Sequence, residues 1–152
     1  MLHLIWAKGG TLLAIFVSLY AFWRGEVPER VGAAVLLAGW FITPMVQMHV
    51  THGIDGHILA VDWVVLIAFV TLSLWSRRPW TIFLAAFQLD AVASHYATLL
   101  SPDVGAYSYI TGIGLWGGFG IVFALWGGLW GLEKRRKREK AFQVLPSTSS
   151  TR

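Results

Sequence analysis

Apolar residues run through this chain in five long blocks: Leu4–Trp23, Val31–Val50, Ile58–Trp75, Trp80–Leu100 and Tyr107–Leu132. At about 1.5 Å per helical residue, each is long enough to cross a hydrocarbon core of about 30 Å. The pattern predicts an all-α polytopic membrane protein with five transmembrane helices. The breaks are polar or carry helix-ending residues: Arg24–Arg30 with Pro28, the glycine-rich Thr51–His57, Ser76-Arg77-Arg78-Pro79, and Ser101-Pro102-Asp103. Pro44 lies inside the second block, where it removes one backbone donor and predicts a kink.

Threading the blocks alternately through a bilayer sorts the charges. Arg24, Arg30, Arg77, Arg78 and the Lys134–Lys140 cluster fall on one side and Lys8 on the other. Short loops rich in Lys and Arg stay cytoplasmic, which predicts an N-out/C-in orientation. Thr11–Trp23 resembles a short signal-peptide core, but no small-x-small cleavage site follows and Arg24 comes at once, so it is read as a retained helix. Composition agrees with the membrane class: 56% of the chain is hydrophobic and 13% charged, against about 25% charged in soluble domains.

The net charge of +4 is local. From Glu133 onward seven Lys/Arg oppose two Glu, whereas residues 1–132 carry five Lys/Arg and six Asp/Glu. The chain therefore divides into a bundle, 1–132, and a basic tail, 133–152, expected to be disordered. The KRRKREK run suits anionic lipid headgroups; no aromatics interleave with it to stack bases, which argues against nucleic acid. The absence of cysteine excludes disulfides and thiolate chemistry.

Tryptophans follow the same frame. Trp23, Trp75, Trp80, Trp126 and Trp130 fall near the inner interface, Trp6 and Trp63 near the outer one, as amphipathic rings do at headgroup level. On helix five, Gly117, Gly120, Ala124, Gly127, Gly128 and Gly131 share a narrow sector and contain two small-xxx-small pairs, which let helices approach closely in lipid. That face serves either packing within the chain or docking of another membrane subunit or a second copy.

The candidate chemistry is in the outer half. Its histidines are His3, His49, His52, His57 and His95, with Asp55, Asp62 and Asp103; Asp90 falls near the midplane. The spans of the inner half are expected to bury no ionisable group. A carboxylate at bilayer depth costs about 3 kcal/mol and usually faces the bundle interior or a cavity, so Asp90, with His95, Gln88 and Asp62, forms a candidate intramembrane polar site. On the fourth helix Leu84, Gln88, Ala91 and His95 make one stripe and Asp90 belongs to another, roughly opposite. His49, His52, His57 and His95 form a candidate ligand set for haem or a metal, without matching a specific motif. No Ser-His-Asp arrangement, phosphate loop or pair of catalytic carboxylates occurs, so no enzyme activity is expected.

The stretch Trp75-Ser-Arg-Arg-Pro-Trp, followed by Ala85-Ala-Phe-Gln-Leu and His95, resembles a family of uncharacterised small polytopic membrane proteins of alphaproteobacteria, as does Arg24-Gly-Glu-Val-Pro-Glu-Arg30. The resemblance covers about a third of the chain and implies a bacterial inner membrane. Function is expected to be that of a non-catalytic accessory or interaction subunit of a membrane complex. The alternative is binding or transport of a small molecule, haem, metal or proton through the outer His/Asp cluster.

Overall fold

The computed structural model describes residues 2–47, 56–100 and 113–144. It is all-helical, with five helices and no strand among the described residues. These are α1 Leu2–Arg24, α2 Val27–Gln47, α3 Gly56–Ser76, α4 Pro79–Leu100, and a π-helical segment, Ile113–Gly120, that runs directly into α5, Ile121–Val144. Consecutive helices are neighbours, and α5 closes the bundle against α4, α1 and α2.

Local chemistry sets the boundaries. α2 starts four residues before the predicted apolar block because Glu29 reaches back to the Glu26 N–H at 3.0 Å, the reciprocal half of a capping box. Pro28 sits in the same first turn, where a missing N–H costs nothing. The α3–α4 turn is closed by Arg77, whose φ of 52° places it in the left-handed region while its N–H bonds the Ser73 carbonyl at 3.0 Å. Pro79 opens α4 rather than merely ending α3, and the Thr81 hydroxyl donates to the Arg78 carbonyl at 2.7 Å across that start.

The core is built from residues three or four apart on each inward stripe: Ala14, Val17 and Ala21 on α1, Ala33 and Leu36 on α2, Phe69 and Leu72 on α3, Leu84 on α4, and Ile121, Leu125 and Leu129 on α5. Large apolar side chains also cover the outside, among them Leu12, Phe16, Phe41, Val64, Ile67, Ile82, Leu89, Phe123 and Trp130. Two helices, Val27–Val46 and Gly56–Ser76, are long and apolar enough to cross a membrane, with mean hydropathies of 1.3 and 2.3 and only 22% of the apolar stretch of each buried. A core helix of a water-soluble protein would be mostly covered; these are mostly open.

Four expectations are corrected. The tail does not begin at 133: α5 stays helical to Val144, held by the Glu133–Arg24 and Arg135–Glu26 ion pairs and by Arg136 donating to the Arg24 carbonyl. Residues 145–152, and 107–112 of the predicted fifth block, lie outside the described residues. Glu29 is fully buried, so the basic end does bury an ionisable group. The small-residue face of helix five divides: Gly117, Gly120 and Gly128 approach Ala91, Phe87 and Trp80, and Ala124 packs on the core, but Gly127 and Gly131 are exposed with nothing near them. Trp80, placed by sequence in the interfacial belt, is instead a wedge whose ring lies between Gly32 of α2 and Gly128 of α5.

Candidate functional site

α3 carries a single carboxylate inside its apolar length, Asp62, six residues from its start and so about 9 Å from that end. α4 runs antiparallel beside it and turns Gln88 and His95 to the same side, because seven residues are close to two helical turns. The three meet. His95 Nε2 lies 2.7 Å from Asp62 Oδ2. Gln88 Nε2 donates to Asp62 Oδ1 at 3.0 Å and to the Asp62 carbonyl at 3.3 Å.

His95 and Gln88 are almost completely buried, and 18% of the Asp62 side chain remains accessible. Burial without partners would cost each group about 1–3 kcal/mol; here both carboxylate oxygens are engaged and the carboxylate's orientation is fixed from two sides. With a carboxylate as acceptor, the imidazole is the donor of this bond through Nε2. One residue further along each helix, the Trp63 indole N–H donates to the Tyr96 hydroxyl at 3.2 Å. That exposed pair pins the same crossing from outside.

Asp62, Gln88 and His95, all predicted, are therefore brought together. Asp90 is not: its residue is exposed, and the Ser94 hydroxyl bonds its carbonyl rather than its carboxylate. Asp90 lies about 16 Å from the start of α4, on an outward stripe with Ala86, Ala93 and Ala97. His57 is exposed in the first turn of α3. His49 and His52, the remaining members of the predicted ligand set, lie outside the described residues. Among the described residues no three His, Asp or Glu side chains come together as a metal site.

A second polar cluster, at the basic end, escaped the sequence reading. Arg78 Nη1 lies 2.5 Å from Glu29 Oε1 and its Nη2 lies 2.6 Å from Glu26 Oε2, tying the α3–α4 turn to the start of α2. Arg135 of α5 reaches the other Glu26 oxygen at 2.5 Å. Arg24 pairs with Glu133 at 3.3 Å, and Arg136 donates to the Arg24 carbonyl at 2.7 Å. The Arg78 hydrogen bond, then that of Arg135, hold the Glu26 carboxyl below the usual glutamate range. Burial pulls the Arg78 guanidinium down, but Glu26 and Glu29 together outweigh it and the net direction is up. The signal was present as Glu26-x-x-Glu29 before an apolar run, a capping-box spacing, with Arg77-Arg78 in the other turn on the same side.

Comparison of the chain with protein-family models, with curated proteins and with solved structures returned no match.

Proposed function

We propose that this chain is a five-span protein of a bacterial inner membrane, N-terminus out and C-terminus in, whose Asp62–Gln88–His95 cluster is a proton-binding site in the outer half of the bilayer. The carrying observation is the 2.7 Å pairing of a buried imidazole with a carboxylate that a second α4 side chain orients. The membrane part is supported by the two helices of spanning length, by the apolar exterior of all five, and by the crowding of Arg and Lys at one end of the bundle. Ionisable groups at such depth are expensive and mark proton or ligand paths by default.

The test is a pH titration of His95 by nitrogen-15 resonance in the reconstituted protein. A titration of His95 that shifts in Asp62→Asn supports the site. An imidazole that does not titrate, or titrates identically in Asp62→Asn, rejects it.

A second reading, the accessory subunit, is favoured by Asp90. Its carboxylate faces outward from the middle of α4, where exposure to lipid costs about 3 kcal/mol, and a donor on a neighbouring membrane helix would recover that cost. Blue-native electrophoresis of gently solubilised membranes tests it. A complex lost in Asp90→Asn supports a docking role, and migration of the wild type only as a lone monomer rejects it.

A further inference from the structure

The run Lys134–Lys140 is not a uniform basic tail; the fold divides it. Arg135 is committed to Glu26 and Glu139, and Arg136 to the Arg24 carbonyl and Glu133. Lys134 lies 5.3 Å over the Trp130 ring, and Lys137 and Arg138 are exposed with no acidic partner among the described residues. At about 100° per residue, positions 127, 130, 131, 134, 137 and 138 fall within a sector of about 120°. Neither Glu133 nor Glu139 falls in that sector.

The apolar end of the same sector is a furrow. A Cβ placed on Gly127 or Gly131 meets nothing within 4 Å, while at Gly128, next in sequence, the Trp80 ring would stand 2.6 Å away. So the chain fills one side of α5 and leaves this one open. The Arg24–Glu133 and Arg135–Glu26 pairs set α5 in depth against the ends of α1 and α2. Trp130 is then about one turn inside that plane and Lys137 and Arg138 about one turn beyond it.

We propose that this face seats one anionic phospholipid of the inner leaflet. Its phosphate lies against Lys134, Lys137 and Arg138, and an acyl chain lies along Gly127 and Gly131 beside Trp130. The proposal rests on the membrane orientation given above but not on the Asp62–His95 site. A zwitterionic lipid lacks the net charge that three cations without an acidic partner among the described residues select, and a soluble phosphate leaves the furrow empty.

The experiment is native mass spectrometry of the full chain, purified in detergent, with added phosphatidylglycerol or phosphatidylcholine. The wild type is expected to retain phosphatidylglycerol preferentially. Each basic residue near the surface contributes about fivefold, so the triple variant K134Q/K137Q/R138Q should lose about 100-fold. K140Q, off this face, should stay within about twofold of the wild type. G127L/G131L should weaken retention with every charge in place. Equal retention of the two lipids, a triple variant that binds like the wild type, or a K140Q loss as large as the triple's would overturn the seat. Recovery of the chain in aqueous buffer without detergent would overturn the membrane orientation as well, which separates the two failures.

Discussion

Arg78 Nη1 stands 2.5 Å from Oε1 of Glu29, a side chain with no exposed surface, and the same guanidinium holds Glu26 through its other prong. Removing one partner of a buried pair leaves an uncompensated charge, which is far more costly than the pair is stabilising. Arg78→Ala should therefore lower stability by about 3 kcal/mol, read as a fall in the thermal midpoint in detergent. Arg78→Lys keeps the charge but not the two-pronged geometry and should recover only part of it. Glu29→Gln in the Arg78→Ala background should recover more than Arg78→Lys does. Additive losses in that double variant would show that the two residues do not act as a pair.

The neighbouring carboxylate predicts a pH dependence with a definite sign. Glu26 is held below its ordinary value of 4.5 by Arg78 and then Arg135, so the unfolded chain takes up a proton there more readily than the folded one. Its contribution is complete above that ordinary value, declines as pH falls below it, and is gone once pH passes the lowered folded value. Thermal midpoints of wild type and Glu26→Gln should differ most near neutral pH and converge in acid. A difference constant down to about pH 3 would contradict this.

At the other end of the bundle, the network makes Asp62 the hub. Replacing it with Leu takes the carboxylate from buried His95 Nε2 and leaves buried Gln88 only the backbone carbonyl of residue 62, and should cost about 1–3 kcal/mol, one unsatisfied-group penalty. Gln88→Leu frees only one carboxylate oxygen and should cost about 1 kcal/mol. The double variant D62L/H95L removes both ends together and should be more stable than D62L alone. Equal stability of Asp62→Leu and Gln88→Leu would remove Asp62 from the centre of the site.

The two ends differ in how far sequence could carry them. Gln88 and His95 lie two turns apart on a strongly apolar helix, so helical period put both on one stripe, and Asp62 came into view as the one carboxylate inside its neighbour. Asp90 passed the same test yet points outward: period separates one stripe from another without saying which neighbour each will meet. Glu29 was hidden because it was assigned to a turn. Only once it reaches back to the Glu26 N–H at the start of α2 and Arg78 arrives from the adjacent turn does it become a buried partner. The glycines of helix five misled for a related reason. Gly127 and Gly131 share a sector with Gly120, but Leu125, Gly128, Leu129 and Leu132 are the residues turned to the neighbours.

Asp90 separates stability from assembly. Since its carboxylate meets no partner on its own chain among the described residues, Asp90→Leu should leave the isolated protein in detergent unchanged or more stable by up to about 1 kcal/mol. Any defect should appear only where other membrane proteins are present. A loss of stability as large as that of Asp62→Leu in the purified protein would mean that the carboxylate is engaged within the bundle.

Gly127 and Gly128 offer the sharpest contrast, because adjacent residues should respond with opposite sign. At Gly128 an added methyl meets the Trp80 ring at 2.6–2.8 Å, and that ring is itself backed by Gly32 of α2, so it has little room to yield. Overpacking of this kind typically costs about 1–3 kcal/mol. At Gly127 the methyl enters open space, and replacing an exposed helical glycine with alanine should gain about 0.5–1 kcal/mol from backbone entropy alone. Gly131→Ala should behave like Gly127→Ala. The Trp80 indole N–H is buried without a partner, so Trp80→Phe in the Gly128→Ala background removes an unsatisfied donor but keeps ring carbons where the clash falls, and should restore only part of the loss. Thermal midpoints of the four variants in one detergent decide the matter: a Gly128→Ala protein as stable as Gly127→Ala would mean that Trp80 does not fill the space between α2 and α5.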